Sequence, residues 1–248
     1  MKPPMARLDR LLANLGYGSR REVNALVRDG RVFLDGVILK DAGAKVAIAA
    51  HLPKRLTING TAVDPPAPLT LIMHKPLGLV CSHKEAGRSV YELLPPRWQA
   101  RMPGLSSIGR LDKETSGLLL ITDDGPLLHR VISPKSRVTK RYLTTLDRPL
   151  SGNEMEIFAA GTLMLDSETE PLAPATLEPL SEKSAWLTIT EGRYHQVRRM
   201  FAAVGNHVTA LHRDRIGGLV LPGDLQAGSW RILDSGGLRV IFQADSQP

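Results

Sequence analysis

The sequence contains one cysteine, Cys81, among its 248 residues. A single cysteine cannot form an intrachain disulfide and cannot supply a cysteine-rich zinc site. Long apolar runs are missing as well. No segment approaches the roughly 18 consecutive apolar residues of a membrane helix, and no apolar stretch of signal-peptide type follows Met1–Pro4. These absences predict a protein of the reducing cytoplasm without a membrane partner.

Aromatic residues are scarce, at 4% of the chain. This scarcity argues against a base-stacking platform of the RRM type, in which aromatic side chains recur along strands. It leaves open the recognition of folded RNA through its shape and its phosphates.

Several chemical signatures are also absent. The chain has no His-Glu-x-x-His pair, no Walker loop, no Gly-x-Gly-x-x-Gly after a strand and no Gly-x-Ser-x-Gly turn. By elimination we expect an active site that uses no metal and no cofactor, although scattered carboxylates leave a metal site open.

Positive charge is in excess. Lys and Arg number 32 against 25 Asp and Glu, which gives a net charge of +7. Residues 1–64 carry 11 of the basic residues and 6 of the acidic ones, so most of the excess lies in the first quarter of the chain. Such a balance suits a polyanionic partner such as nucleic acid, and ordinary solubility charge is the alternative.

The first sixty residues carry clear signals for helices and hairpins. Leucines recur at helical spacing between Leu8 and Leu15, and Ser19 followed by Glu22 predicts a capping box for a second helix. An Asp-Gly and an Asn-Gly dipeptide predict turns. The strands expected around them are 31–34, 37–39 and 56–58.

Arg20 and Arg21 fall in the first turn of the second helix, where the helix dipole favours anions. We interpret them as contacts to RNA phosphates, with a solvated helix face as the alternative. The run ARLDRLLANLGYGSRREVNALVRDGRVFLDGVIL resembles the S4-like RNA-binding domain over about the first sixty residues. The resemblance implies an RNA-binding module, in which Arg7 is a further expected RNA contact.

Residues 64–68, Asp-Pro-Pro-Ala-Pro, form a proline-rich segment that we interpret as a stiff linker. It would separate a small domain over residues 1–63 from a larger domain over residues 69–248. In the larger domain strand signals outnumber helical ones and the connections are irregular. This predicts an α+β fold with a mixed, largely antiparallel sheet flanked by helices. The strand candidates are 71–73, 79–81, 118–121, 141–146, 175–177, 186–189, 207–211 and 238–242, and the helical candidates are 90–94, 127–131, 153–160 and 195–204.

The stretch GRLDKETSGLLLITDDG, from Gly109 to Gly125, places a carboxylate beside a core element. Leu118–Ile121 reads as a short buried strand that begins after Gly117 and ends in a turn cluster. Asp112 then lies in a glycine-flanked loop just upstream. A charged group in that position is either a local turn cap or a reactive group on a rigid support.

A second cluster, ITEGRYHQVRRMFAAVGNHVTALHRDRIGG, covers residues 189–218. Apolar residues at i, i+3, i+4 and i+7 from Val197 predict a helix with an inward stripe, and Arg198 lies at the edge of that stripe. An arginine there needs a carboxylate partner. Asp112 is the candidate, and an ordinary structural salt bridge is the alternative. Two later arginines are predicted to contact RNA phosphates, or else to form a solvated strand edge: Arg213 and Arg215.

These clusters are similar to the motifs of the RsuA/RluA group of pseudouridine synthases. GRLDKETSGLLLITDDG resembles the aspartate motif, EGRYHQVRRMFAAVG resembles the later motif in its RsuA form, and MHKPLGLVCS and KRYLTTL fit the same family. With the N-terminal module, the resemblance covers nearly the whole chain. It implies Asp112 as the nucleophile, Arg198 as its basic partner, Tyr142 as the active-site tyrosine, Arg110 as a holder of the flipped nucleotide, and Lys140 and His195 as motif neighbours of less defined role.

The reaction that the resemblance implies is the conversion of uridine to pseudouridine. The bond from ribose to the base nitrogen breaks, the base turns, and it rejoins through carbon 5, so no metal or redox cofactor is required. The carboxylate would attack the sugar or carbon 6 of the ring, or abstract a proton to give a glycal. The sequence does not choose among these routes.

The form of the later motif favours the RsuA branch and therefore uridine 516 of 16S ribosomal RNA as the target. The expected partner is 16S ribosomal RNA or a small-subunit assembly intermediate, and the expected state is a monomer. Three alternatives stay open: a sister-type synthase acting on 23S ribosomal RNA, a non-catalytic rRNA-binding assembly factor, and a hydrolase with a carboxylate pair.

Overall fold

The computed structural model describes residues 3–82 and 85–243. Over these residues the strands are β1 Met5–Arg7, β2 Val32–Leu34, β3 Val37–Ile38, β4 Lys45–Ala47, β5 Leu56–Ile58, β6 Thr61–Ala62, β7 Thr70–Lys75, β8 Ser106–Ser107, β9 Thr115–Thr122, β10 Lys140–Leu146, β11 Thr176–Ser181, β12 Ser184–Ile189, β13 Val208–Ile216, β14 Leu219–Val220 and β15 Trp230–Ile232. The helices are α1 Leu8–Asn14, α2 Arg20–Arg28, α3 Gly125–Ile132, α4 Glu154–Ala159, α5 Gln196–Ala203 and α6 Ser235–Val240. None of the helices in the described ranges has the length and apolar character needed to cross a bilayer.

The chain divides into two compact units. The first contains the residues up to 69 together with 94–106 and 122–124, and the second contains 70–93, 107–121 and the residues from 125 onward. The expected linker at 64–68 lies within the first unit, and a domain boundary there stays a prediction. The outer ends of the expected domains, at residues 1–2 and 244–248, lie outside the described residues.

Both expected helices of the first unit are present. α1 follows the leucine spacing, and Leu8 and Leu12 are fully buried. At the start of α2, the Ser19 hydroxyl accepts from the Glu22 backbone N–H at 3.3 Å, and the Glu22 carboxylate accepts from the Ser19 backbone N–H at 2.6 Å. These bonds form the capping box that the sequence predicts, and they satisfy donors that a helix start leaves open.

The expected hairpins form one antiparallel sheet in the order β3-β2-β5-β6. Asp35 and Asn59 both have a φ of 52°, and each precedes a glycine of positive φ. Asp-Gly and Asn-Gly tolerate this left-handed backbone, which is why the sequence identifies both turns. β1 and β4 form a separate antiparallel pair.

The second unit is built on a sheet with the strand order β11-β12-β10-β13-β9-β7-β15, to which β14 and β8 add at β13 and β9. β10 pairs antiparallel with β12 and β13, β11 with β12, and β15 with β7, whereas β9 runs parallel to β13. The sheet is therefore mixed and largely antiparallel, as the strand signals predict.

The core of this unit forms around β9. All four residues of Leu118–Ile121 are fully buried, which confirms the buried strand predicted after Gly117. A strand buried on both faces reads as a continuous apolar run because it packs between two layers. On one side the core contains Leu118 and Leu120 with Ile72, Val131, Ile216 and Ile241.

Two strand predictions are wrong. Residues 79–81 make a single isolated bridge instead of a strand. The other candidate, 238–242, overlaps α6, whose start is capped by Asp234 accepting from the Gly237 N–H at 2.8 Å. A short apolar run is ambiguous between a strand and a buried helical turn, and here the aspartate cap upstream decides for the helix.

Candidate active site

A cavity of about 140 Å³ opens in the second unit, where β10 and β13 meet the loops that precede β9 and α5. Its volume lies below the roughly 300–1,000 Å³ of sites for drug-sized ligands, which suits an occupant the size of one nucleobase. Of the side chains that the sequence singles out, the lining includes Arg110, Asp112, Lys140, Tyr142, His195 and Arg213. Arg198 and Arg215 are not among the described residues that line the cavity.

The loop that carries Asp112 is held from beneath by a buried lysine. Lys75, at the end of β7, is fully buried, and its ammonium group donates to the carbonyl oxygens of Thr115 at 2.8 Å, Pro76 at 3.0 Å and Lys113 at 3.4 Å. The Asp112 carbonyl oxygen accepts from the Thr115 N–H at 3.0 Å. Burial lowers the pKa of Lys75 below its ordinary value. The result is a rigid support under the carboxylate.

Sequence reasoning missed two buried groups beneath this loop. For Lys75 the signal is its place within two residues of the apolar run Leu71–Met73, where a cation needs internal acceptors. The other group is Cys81, whose sulfur accepts from the Leu111 N–H at 3.5 Å. Burial raises the pKa of the Cys81 thiol, so it packs as a small apolar side chain.

The parallel pairing of β9 with β13 brings the loop to the cavity. In this register Gly117 lies opposite Arg213. Gly117 has a φ of +111°, and a Cβ built on it would lie 2.1 Å from the Arg213 carbonyl oxygen. Only glycine permits so close an approach, and the approach places the Asp112 loop and the Arg213 side chain at one cavity.

The ion pair expected between Asp112 and Arg198 is not formed. Among the described residues, the ionisable side chain found closest to the Asp112 carboxylate is His195, whose Nε2 lies 3.4 Å from Oδ1. Arg198 donates to the carbonyl oxygens of Val208 and Glu114, both at 2.8 Å. Because its N–H groups are engaged with backbone, Arg198 ties α5 to β13 and to the Asp112 loop instead of neutralising the carboxylate.

Tyr142 and Arg213 form the inner wall of the cavity. Arg213 is 3% exposed, and its Nη1 donates to the Tyr142 hydroxyl at 3.3 Å while its Nε donates to the Leu118 carbonyl oxygen at 2.8 Å. Its Nη2 is buried without a hydrogen-bond partner among the described residues. Arg213 therefore lies in the cavity wall and not on the exposed edge that a phosphate contact requires, and Arg215 is half-buried.

Two further cations border the cavity. Burial, and then the charge of Arg213, lower the pKa of Lys140 to about 8. Arg110 lies further out: its side chain is 67% exposed, and its Nη1 is 3.6 Å from a carboxylate oxygen of Glu85. Within the described part of the chain, no group of three or more His, Cys, Asp or Glu side chains is arranged to hold a metal ion. A reaction without metal stays a prediction.

In the first unit, Arg7 and Arg20 meet at one buried carboxylate. Asp9 is 2% exposed and accepts from Nη2 of Arg7 at 3.0 Å and from Nη2 of Arg20 at 2.7 Å. The hydrogen bond from Arg7, above all, holds the pKa of Asp9 well below its usual range. Arg20 thus finds an anion inside the unit, which corrects the expectation that an outside phosphate must meet it. More than half of the Arg7 side chain and of the Arg20 side chain stays exposed. Arg21 is exposed as well.

Comparisons with known proteins match both the part of the chain that carries the cavity and the part that carries Arg7 and Arg20. A family model of the RNA pseudouridylate synthases matches residues 70–203, more than half of the chain, and a model of the S4 domain matches residues 6–49. The chain belongs to the RNA pseudouridylate synthase family. It is a pseudouridine synthase, an isomerase, with an S4 RNA-binding domain at its N-terminal end. The first match contains Asp112, Tyr142 and His195, which the cavity brings together.

The similarity extends over nearly the whole chain. The "Ribosomal small subunit pseudouridine synthase A" of Vibrio cholerae is 40% identical over 231 residues, which cover 92% of this chain and 95% of that protein. The protein of the same name from Escherichia coli K12 is 40% identical over 232 residues, 92% of this chain and 96% of its own length. A solved structure described as a crystal structure of pseudouridylate synthase is 36% identical, with a TM-score of 0.66, and the match covers 95% of this chain and 99% of that one.

Proposed function

We propose that this synthase converts one uridine of small-subunit ribosomal RNA to pseudouridine, and that the target is uridine 516 of 16S ribosomal RNA. The observation that carries the proposal is the placement of Asp112 with Tyr142 and Arg213 around one cavity in a member of this family. The relatives named for the small ribosomal subunit, at 40% identity over 92% of the chain, support this choice of RNA.

Asp112 is the proposed nucleophile. A carboxylate attacks only in its ionised form. Nε2 of His195 lies 3.4 Å from Oδ1 of Asp112, and the cavity wall contains the cationic side chains of Arg110, Lys140 and Arg213. The carboxylate would add to the ribose or to carbon 6 of the base, or remove a ribose proton. Each route breaks the glycosidic bond. The base then turns and bonds to the ribose through carbon 5, as the bond to Asp112 breaks or, in the glycal route, the removed proton returns to the ribose. Carbon 5 loses its proton, and the freed ring nitrogen gains one, so the base is only rearranged.

Tyr142 and Arg213 are proposed to handle the base. The Tyr142 hydroxyl is oriented by Nη1 of Arg213 and lies within the cavity wall, where it would contact the uracil ring and help to move the carbon 5 proton. The unpartnered Nη2 of Arg213 would donate to a uracil carbonyl oxygen, on which negative charge develops while the base is detached. A donor already fixed in the wall needs no reorganisation during the reaction.

The target uridine must leave its helix or loop to enter the cavity, at a cost of a few kcal/mol. We propose that Arg110, exposed at the cavity, holds the extruded nucleotide. The exposed guanidinium groups of Arg7, Arg20 and Arg21 would bind RNA phosphates and offset the cost of extrusion.

Further proposals concern the setting of the reaction. We infer a monomer that works in the cytoplasm, without metal or cofactor, on 16S ribosomal RNA or on a small-subunit assembly intermediate. The single cysteine and the excess of 32 basic over 25 acidic residues support the compartment and the partner.

The test compares Asp112→Asn with Glu114→Gln. Both variants remove one carboxylate from the same loop, but Glu114 is exposed and contributes its backbone carbonyl oxygen to the contact with Arg198. Each protein is incubated with 16S and 23S ribosomal RNA, and pseudouridine is mapped at nucleotide resolution. We expect Glu114→Gln to modify uridine 516 like the wild type, and Asp112→Asn to lose all modification while it still binds RNA.

The same assay separates the alternatives. Modification by Asp112→Asn would refute the nucleophile. Modification of 23S RNA alone would identify a sister-type synthase, and release of free uracil would identify a hydrolase. Should no RNA be modified while Arg20→Ala and Arg21→Ala abolish function in cells, the chain would be a non-catalytic assembly factor.

A further inference from the structure

Tyr194 is the exposed aromatic residue of this chain. The sequence has four Phe, three Trp and four Tyr, all of them among the described residues. Of these Tyr194 is the most exposed, at 70%. Exposure alone carries no argument, because single apolar side chains are common on protein surfaces. The surroundings of this ring are what set it apart.

The ring of Tyr194 is stacked on one side only. Its centroid lies 3.9 Å from that of His195, and the two planes differ by 16°. A ring with 70% exposure that is covered on one face by an imidazole must present its other face to solvent. Tyr194 therefore offers a flat, open aromatic face that lies nearly parallel to the His195 ring beneath it.

The backbone around this stack is braced on both sides. The Arg193 N–H donates to Oε1 of Gln196 at 2.8 Å, and Nε2 of Gln196 donates to Oε1 of Glu191 at 3.0 Å. Nη1 of Arg199 donates to the Tyr194 carbonyl oxygen at 3.2 Å. The loop is thus held in place before any ligand arrives, so its ring is a preorganised surface and not a loose side chain.

The stack stands at the mouth of the active site. Arg193 and His195 line the cavity, whereas Tyr194 between them does not. His195 has a φ of +48°, in the left-handed region, and its Nε2 reaches to 3.4 Å from Asp112. Backbone strain of this kind persists where the surrounding structure imposes it. The edge of the His195 ring, at Nε2, therefore contacts the proposed nucleophile, while one face of the same ring stacks on Tyr194.

We propose that Tyr194 is a stacking site for the nucleobase next to the target uridine in the RNA. The inference rests on the proposed function and adds a second base-binding position to it. When a uridine is extruded, the bases beside it lose a stacking neighbour, and an aromatic face at the cavity mouth replaces that neighbour. The target uracil itself is not the occupant, because it must lie within the cavity, against Tyr142 and Asp112.

Stacking on an aromatic ring accepts any base, so the site contributes to binding and extrusion more than to sequence readout. Stacking on Tyr194 would lower KM and favour the RNA conformation in which the target uridine is extruded. Tyr194 itself does not contact the reacting atoms. Tyr194 is thus a binding residue that acts on the neighbouring nucleotide, distinct from the groups that carry out the isomerisation.

The experiment uses the full chain and three short RNAs that contain the target uridine: one intact, one without the base 5′ of the target, and one without the base 3′ of it. The proteins are the wild type, Tyr194→Phe, Tyr194→Leu and Tyr194→Ala. On intact RNA we expect Tyr194→Phe to match the wild type, and Tyr194→Leu and Tyr194→Ala to lose about 5- to 100-fold in kcat/KM. On one of the two abasic RNAs, wild type and Tyr194→Ala should become equal.

That convergence identifies the stacked nucleotide and also shows that Tyr194→Ala is folded and active. Equal rates of Tyr194→Ala and wild type on intact RNA would overturn the inference, as would an undiminished penalty on both abasic RNAs. Those results leave the proposed function standing, since the wild type still isomerises the uridine. A wild type that modifies none of the three RNAs, and modifies neither full-length 16S ribosomal RNA nor small-subunit assembly intermediates, overturns both.

Discussion

At the scale of single residues, Asp9 changes the interpretation of two arginines. Arginines in the first turn of a helix are unfavourable beside the helix dipole, which makes an external phosphate an attractive explanation for Arg20. The structure places the Asp9 carboxylate against both Arg7 and Arg20 instead. One carboxylate cannot neutralise two guanidinium groups, so the pair still presents a net positive charge on exposed side chains. RNA binding by these two arginines stays a proposal, and its physical basis is now this exposed excess of positive charge.

The lowered pKa of Lys140 leads to a prediction about the pH dependence of activity. Its pKa is lowered to about 8 by burial and by Arg213, so the side chain is charged below that pH and neutral above it. An anionic substrate in the cavity is favoured by the charged form. We therefore expect kcat/KM for RNA to fall as the pH rises through about 8, measured by initial rates of pseudouridine formation between about pH 6.5 and 9.5.

The control is Lys140→Arg. A guanidinium group keeps its charge beyond pH 12, so this variant should lose the decline near pH 8 while Lys140→Met shows a low and flat profile. An unchanged decline in Lys140→Arg would assign the titration to another group.

At the scale of elements, the parallel contact of β9 with β13 decides the geometry of the site. Gly117→Ala places a Cβ 2.1 Å from the Arg213 carbonyl oxygen on a backbone of φ +111°, so a strand must move. We expect a loss of roughly 3 kcal/mol or more in the free energy of unfolding, measured by urea denaturation. The displaced strand carries Arg213, so activity should fall as well.

Gly125→Ala is the matched control. Gly125 begins α3, and a Cβ on it would meet nothing within 4 Å. The substitution reduces the freedom of the unfolded chain, so the stability should stay level or rise by about 0.4–1 kcal/mol. If Gly117→Ala were as stable as Gly125→Ala, the close approach of β9 and β13 would not be required.

The comparison of α2 with α6 explains which elements the sequence predicts well. The signals of α2 are local: a serine, a glutamate three residues on, and an apolar stripe. The segment 238–242 has only an apolar run, which suits a strand or a helix equally well. Its identity depends on the cap at Asp234 and on the burial of Ile241 in the core, and the second of these is a tertiary contact.

At the scale of the whole molecule, the uneven distribution of charge predicts a salt dependence. With 11 basic and 6 acidic residues in its first 64, the chain should bind RNA through released counterions. Arg21→Ala removes an exposed arginine of the S4 domain. If Arg21 contacts one phosphate, the slope of log Kd against log salt concentration should fall by about 0.7–0.9, measured by filter binding.

Arg148→Ala removes an arginine that is 73% exposed in the second unit, and it serves as the comparison for general loss of charge. For Arg148→Ala, the slope of log Kd against log salt concentration should stay at the wild-type value. Equal decreases of the slope in both variants would mean that RNA binding depends on the net charge of the protein and not on a site in the S4 domain.

The sequence by itself determined the family, the capping box and the two turns of the S4 domain, the mixed sheet, and the loop that carries Asp112. These features depend on local spacing, on side-chain periodicity and on motifs that a linear chain displays. Only the tertiary structure decided which group faces Asp112. His195 lies beside it, Arg198 is engaged with two carbonyl oxygens, and Arg213 and Lys75 are buried around the site. The contacts of His195 with Asp112, of Arg198 with Glu114 and of Arg213 with Leu118 join residues about eighty to one hundred positions apart. They arise from strand register and from the backbone of a turn, and no local pattern encodes such partners.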